Sequence, residues 1–160
     1  MKKKIAILGS TGSIGESTLS IIDKDKKSFD IILLSANNNY KKLIKQARKF
    51  NAKNVLIYNK KFFPIVKKSL KKTNVFTGNV ALTKIVKMKL DYTMSAIVGL
   101  AGLQPTIDAV KFSKILALAN KETIICAWSI LDKLKRKYKT EIIPVDSEHY
   151  SIMELTKNAL

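Results

Sequence analysis

The sequence predicts an α/β fold, a Rossmann-like doubly wound, mostly parallel sheet with helices on both faces. Short apolar runs alternate with helical patterns along the whole chain, the signature of repeated βα units. Runs such as Ile5-Ala6-Ile7-Leu8 and Ile31-Ile32-Leu33-Leu34 are continuously apolar, as strands covered on both faces are. A glycine-rich turn follows the first of them, where such folds open their first helix. The 160 residues amount to one domain, and 46% hydrophobic with 26% charged residues is ordinary globular usage. That composition excludes collagen-like, coiled-coil and disordered readings.

In chain order, strands are expected at Lys4–Leu8, Asp30–Ser35, Asn54–Tyr58, Val75–Thr77, Tyr92–Val98, Lys114–Ala119 and Glu141–Val145. Helices are expected between them at Glu16–Asp23, Tyr40–Phe50, Lys60–Lys71, Val80–Lys87, Leu103–Phe112 and Thr123–Tyr138. In the second, Leu43, Ile44, Ala47 and Phe50 recur at helical spacing with lysines opposite. Pro64 and Pro105 suit helix first turns, where a missing N–H costs little. Cys126, Trp128 and Tyr138 read as packing residues of the last helix. The run from Tyr150 to Leu160 reads as a helix without a clear cap, as though the chain were cut off.

The abnormal quantity is charge: 30 basic against 12 acidic residues, a net +18. Only Arg48 and Arg136 are arginines, and the lysines are dispersed, whereas nucleic-acid readers lean on arginine and interleave basic with aromatic residues. The balance reads as solvated lysine faces that also attract anionic ligands; no nucleic-acid partner is expected, and a basic nucleic-acid module stays as the weaker alternative. No apolar run approaches the ~18 residues of a membrane span. A single cysteine agrees with a reducing compartment, and a cytoplasmic chain with no membrane partner is expected.

Four strings carry chemistry, each at or beyond the end of an expected strand. Gly9-Ser10-Thr11-Gly12-Ser13-Ile14-Gly15 places glycines and a helix start together, which allows close backbone approach and offers free N–H groups to a pyrophosphate. The spacing is G-x-x-G-x-x-G, and a tight βα turn alone would also use these glycines. Asn37-Asn38-Asn39 stands where an NAD enzyme places a carboxylate for the ribose hydroxyl. Without that carboxylate, and with Lys41 and Lys42 next, NADPH is favoured over NADH; a simple asparagine turn is the alternative. Leu118-Ala119-Asn120-Lys121-Glu122 offers an amide, an ammonium and a carboxylate, or merely solvated charges at a helix start. Asp146 and Glu148, two residues apart after Pro144-Val145, suit Mg²⁺ or Mn²⁺, or else an Asp-Ser turn and helix cap. His149 reads as a helix-start or packing residue.

Together GSTGSIG (9–15), AIVG (96–99) with AGL (101–103), LANKE (118–122) and PVDSEH (144–149), in that order, resemble the 1-deoxy-D-xylulose 5-phosphate reductoisomerase family. The resemblance runs from Lys4 to about Ile152. It implies an NADPH- and divalent-metal-dependent enzyme of non-mevalonate isoprenoid synthesis, which rearranges 1-deoxy-D-xylulose 5-phosphate and reduces it to 2-C-methyl-D-erythritol 4-phosphate. Another NADP-dependent oxidoreductase of the same nucleotide fold is the alternative. Thr11, Gly12, Ser13 and Ile14 then match the pyrophosphate turn, Asn37, Asn38 and Asn39 the ribose-phosphate position, and Asn120 and Glu122 further cofactor contacts. Lys121, Ser147 and Glu148 match substrate contacts, with Lys121 and Glu148 catalytic, and Asp146 and Glu148 match metal ligands for Mn²⁺ or Mg²⁺. Where the family reads Gly-Lys/Arg-Asn, only Asn39 matches. The resemblance implies a phosphorylated sugar substrate and a homodimer for the full-length protein. It implies an NADPH-binding domain over residues 1–145, the start of a metal- and substrate-binding domain at 146–160, and no turnover from this chain alone.

Overall fold

The computed structural model describes residues 1–145; Asp146, Ser147, Glu148 and His149 lie outside the described residues. Seven parallel strands form one sheet: β1 (Lys3–Leu8), β2 (Phe29–Ala36), β3 (Asn54–Ile57), β4 (Asn74–Thr77), β5 (Leu90–Ser95), β6 (Ser113–Leu118) and β7 (Glu141–Pro144). Their spatial order is β4-β3-β2-β1-β5-β6-β7. The chain winds outward from β1 to β4, then crosses back to lay β5 on β1's other side. The strand order therefore reverses between β1 and β5, and a crevice opens at their carboxyl ends.

Among the described residues, six α-helices cover the sheet: α1 (Ser13–Lys24), α2 (Tyr40–Lys49), α3 (Phe63–Ser69), α4 (Leu82–Ile85), α5 (Leu103–Phe112) and α6 (Lys121–Tyr138). Side-chain alternation sorts them into two layers. Ile5 and Ile7 of β1 join Leu19 and Ile22 of α1, Leu43 and Ala47 of α2 and Val66 of α3. Ala6 and Leu8 face the other way, toward Leu82 of α4, Ala109 and Val110 of α5, and Leu131 of α6. Both faces are thus buried, which is why the strands read as unbroken apolar runs; each fully buried Leu or Ile contributes about 1.5–3 kcal/mol.

The pairing of β1 with β2 slips once: Ile5 lies opposite Ile31, but Ala6 lies opposite Leu33. Ile32 is the extra residue, and it shares a layer with Leu33 instead of alternating with it. In the third βα unit the expected helix from Lys60 is divided. A 3-10 turn over Lys60–Phe62, started by the Asn59 side chain accepting from the Lys61 N–H, precedes α3, and Pro64 sits in the first turn of α3. The helix expected over Val80–Lys87 contracts to the four residues of α4, whose leading Leu82 N–H donates to the buried Asp108 carboxylate at 2.9 Å. The fifth strand ends at Ser95, not Val98, and releases residues 96–98 to the crevice.

Cys126 and Trp128, expected as packing residues, are exposed. α6 packs through Thr123, Ala127 and Leu131, spaced four apart, and its backbone breaks helical geometry at Ala127 (φ −135°, ψ 16°). Ile125, Trp128 and Ile130 between them turn outward, Ile124 packs half-buried against the core, and the Lys135 ammonium sits 5.2 Å above the Trp128 ring.

α2 is tied to the first turn by reciprocal bonds. The Ser10 hydroxyl donates to Gln46 Oε1 at 2.8 Å, and Gln46 Nε2 donates back to the Ser10 carbonyl at 2.9 Å. Ser10 is fully buried, so removing its partner leaves polar groups without water. Gln46→Ala should cost about 1–3 kcal/mol of stability, read as a lower urea midpoint at unchanged slope.

Candidate functional site

The crevice at the strand ends has a volume of about 840 Å³. Gly9 and Thr11 border it from the β1 turn, Ser35, Ala36 and Asn37 from the end of β2, and Tyr58 from the end of β3. Asn79–Leu82 close it on one side; residues 96–98, Leu100, Ala101 and three α5 residues, Gln104, Pro105 and Asp108, close it on the other. Val98 and Leu100 are largely exposed apolar groups on this rim.

Gly9 has φ +79°, and a Cβ there would stand 2.6 Å from the Ala96 carbonyl oxygen. Gly15 packs its Cα face directly onto the Gly9 carbonyl and the Ser10 backbone, so a side chain would collide with both. These two glycines let α1 start against the end of β1. Gly12 is the cap of α1 and has room for a Cβ; no side chain caps this helix, whereas Asn39 caps α2 and Asn120 caps α6. The first hydrogen bond of α1 runs from the Glu16 N–H to the Gly12 carbonyl, leaving the N–H groups of Ser13 and Ile14 without intrahelical acceptors. Ser13 and Ile14 are exposed. An uncapped, glycine-led helix start is the donor arrangement that a pyrophosphate requires, so the residues present fit a dinucleotide here.

The asparagines after β2 divide their tasks. Asn37 borders the crevice. Asn38 Oδ1 accepts from Asn59 Nδ2 at 2.8 Å, and Asn39 Oδ1 accepts the Lys42 N–H at 3.2 Å as the cap of α2. The Lys42 ammonium pairs with Glu16 at 2.9 Å, which leaves Lys41 as the exposed cation of this segment.

Asn120 is 2% exposed, and protein groups engage its whole amide. Nδ2 donates to the Ile97 carbonyl at 2.5 Å and to the Gly99 carbonyl at 2.7 Å, while Oδ1 accepts the Thr123 N–H at 2.9 Å. Gly102 makes this possible, since a Cβ there would overlap the Asn120 amide. Two strings twenty residues apart are thus clamped into one wall, with Lys121 exposed and Glu122 half-buried in the first turn of α6 beside it. The expected metal ligands Asp146 and Glu148 and the substrate contact Ser147 lie outside the described residues; among those described, no three His, Cys, Asp or Glu side chains converge as a metal set.

Tyr58 and Asp108 were not expected at the site. Asp108 is buried and accepts from the Leu82 N–H, from Gln104 Nε2 at 3.2 Å and from the Lys111 ammonium at 3.3 Å. Burial, reinforced by the Asp108 charge, pushes the Tyr58 phenol up from 10.0 to about 12, and the nearby Ser35 hydroxyl offsets this only partly. The Tyr58 hydroxyl has no hydrogen-bond partner of regular geometry. A strand-end position would have marked Tyr58; Asp108 is the lone acid among the buried residues of α5, a signal the sequence carried without a partner to interpret it.

Comparison with known proteins places this geometry. Residues 5–128 match the family model for 1-deoxy-D-xylulose 5-phosphate reductoisomerase. The chain is 54% identical to the 1-deoxy-D-xylulose 5-phosphate reductoisomerase of Pelagibacter ubique across 98% of its own length and 41% of the relative's. It is 40% identical to the one from Wolbachia pipientis of Culex pipiens, again across 98% of this chain and 41% of that protein. Among solved structures it resembles the Zymomonas mobilis 1-deoxy-D-xylulose 5-phosphate reductoisomerase in complex with NADPH, with a TM-score of 0.87 and 37% identity over 93% of this chain and 40% of that one. A reductoisomerase structure with NADPH, fosmidomycin and magnesium gives a TM-score of 0.85 at 32% identity, over 92% of this chain and 37% of that one. The chain thus spans about 40% of the length of the relatives it matches.

Asn120→Ala removes a cap and strands two carbonyls, so it should cost about 2–4 kcal/mol, and Gly102→Ala should cost a comparable amount in the same denaturation assay. Unfolded tyrosine ionises near 10 whereas Tyr58 holds its proton to about 12, so its contribution is intact below pH 10 and lost as pH rises toward 12. The loss should run at about 1.4 kcal/mol per pH unit, and Tyr58→Phe should remove that component from the alkaline unfolding curve.

Proposed function

Because the chain belongs to the 1-deoxy-D-xylulose 5-phosphate reductoisomerase family, we propose that residues 1–145 are the NADPH-binding domain of such an enzyme and that residues 146–160 begin its metal- and substrate-binding part. The observation that carries this reading is the uncapped start of α1, set against β1 by Gly9 and Gly15 at the point where strand order reverses. The reaction proposed for the whole protein converts 1-deoxy-D-xylulose 5-phosphate to 2-C-methyl-D-erythritol 4-phosphate. The full-length protein is proposed to act in the cytoplasm as a homodimer. No described helix is long and apolar enough to cross a membrane.

Each residue then has a task. The N–H groups of Ser13 and Ile14, with the Thr11-Gly12 turn before them, receive the pyrophosphate. Asn37, at the end of β2, faces the ribose that carries the 2′-phosphate; no carboxylate there repels it, and Lys41 supplies a cation nearby. The Gly-Lys/Arg-Asn grip of the family is therefore replaced by amides and a more distant lysine. Asn38 and Asn39 hold this segment in shape, and Asn120 holds the opposite wall while Glu122 stands beside it. Lys121 offsets negative charge on the substrate. Asp146 and Glu148 hold Mg²⁺ or Mn²⁺ as carboxylates, with Ser147 and Glu148 toward the sugar. When bound, NADPH supplies the hydride, and a divalent ion polarises a substrate oxygen.

Calorimetric titration of the chain should find NADPH bound roughly 10- to 100-fold more tightly than NADH, the range one charge-assisted contact provides. Gly12→Asp should abolish binding of both, because its carboxylate opposes the pyrophosphate. Equal affinity for the two nucleotides would sink the assignment of cofactor. For the full-length protein, loss of NADPH absorbance on adding 1-deoxy-D-xylulose 5-phosphate and Mn²⁺ tests the reaction itself.

A further inference from the structure

One buried carboxylate is bonded to both facing walls of the crevice. Asp108 lies on α5 and divides its oxygens between two elements. Oδ1 is held from its own helix, by Gln104 Nε2 at 3.2 Å and the Lys111 ammonium at 3.3 Å, and Gln104 itself borders the crevice. Oδ2 accepts the Leu82 N–H at 2.9 Å, at the first residue of α4 and the last of the Asn79–Leu82 wall. α4 is a single turn of four residues, and a lone helical turn is unfavourable by itself, so contacts from outside must hold it. The side chains of Leu82 and Ile85 seat it on the core, and the Asp108 bond fixes its leading end. Leu82 is 1% exposed, so solvent does not replace that acceptor once it is removed.

We infer that Asp108 is a positioning residue for the cofactor: its carboxylate ties α4 to α5 and so sets the separation of the Asn79–Leu82 wall from the α5 wall of Gln104 and Pro105, the width a dinucleotide must fit. The inference rests on the reading of the crevice as a dinucleotide site. Asp108 acts through the Leu82 N–H and not by meeting the nucleotide. Its pairing with Lys111 offsets its charge, so it sets no bare anion against a ligand that carries a pyrophosphate. The consequence is specific. A displaced wall loosens every dinucleotide by the same factor, because the choice between NADPH and NADH is made on another segment, at the asparagines after β2.

Asp108→Ala removes the acceptor, whereas Asp108→Asn keeps an oxygen for the Leu82 N–H and lets the partly exposed Lys111 turn to solvent. In calorimetric titration of the chain, the alanine variant should bind NADPH and NADH more weakly by one common factor, about 3- to 30-fold, and the asparagine variant should stay within about twofold of wild type. Amide hydrogen exchange should quicken in the alanine variant over residues 79–86 while β1, β2 and β5 keep their protection. In the full-length protein the KM for NADPH should rise by the same factor at unchanged kcat; a mere loss of folded protein would instead lower kcat at unchanged KM. Asp108→Leu, which fills the volume with an apolar group and offers no acceptor, takes the place of the alanine variant if that one does not fold, and should weaken both nucleotides likewise. Unchanged affinity in a folded variant without the acceptor, a loss confined to NADPH, or an equal loss in Asp108→Asn would overturn the inference while leaving the cofactor reading intact. Failure of the wild type to bind either nucleotide would overturn both.

Discussion

The close approach of backbone to backbone at the end of β1 is the constraint on which the rest of this site depends. Gly9 takes a positive φ against the Ala96 carbonyl, and Gly15 lets the first turn of α1 rest on Gly9 and Ser10. Only with both contacts does α1 begin at the strand end, with the N–H groups of Ser13 and Ile14 free of intrahelical acceptors. The surrounding hydrogen bonds are arranged to hold that turn. Gly9 donates its N–H to the Ser35 hydroxyl at 3.1 Å, Ser10 donates its own N–H to the Ser35 carbonyl at 2.8 Å, and Gln46 closes around Ser10 from α2. One turn is thereby fixed from β2, α1 and α2 at once.

A second clamp repeats the logic on the other side of the switch point. Residues 96–99 have left the sheet, and their carbonyls would need water if nothing else reached them. The Asn120 amide reaches two of them, and Gly102 yields the space. Polar groups thus stabilise the crevice walls where apolar packing ends. The same economy places Asp108 inside α5: a buried carboxylate is tolerable because an N–H, an amide and an ammonium surround it.

Charge acts on a longer scale. Glu16, Asp23, Asp30, Asp91 and Asp132 are engaged by lysines at the surface, and Asp23 and Asp91 are held below the usual carboxylate range by hydrogen bonds from Lys26 and Lys49 and from Lys114 and the Lys4 N–H. Most lysines remain solvated, so the net +18 acts as a general attraction for anions without shaping a groove.

The sequence by itself determined the parallel sheet, all seven strands to within a few residues and the glycine turn, because those features depend on local pattern: continuous apolar runs, glycine punctuation and helical spacing. It also placed GSTGSIG and LANKE at one sheet edge, since strand ends in this class of fold must converge. Only the tertiary structure decided the tasks of individual side chains. The cap formed by Asn39, the clamp formed by Asn120 and the anchoring of α4 by Asp108 join residues that local pattern cannot pair. The shortened α4, the slip at Ile32 and the outward turn of Trp128 have the same origin. Hydrogen bonds and steric contacts between elements outweigh propensities of a few tenths of a kcal/mol per residue, and those contacts exist only once the chain is folded.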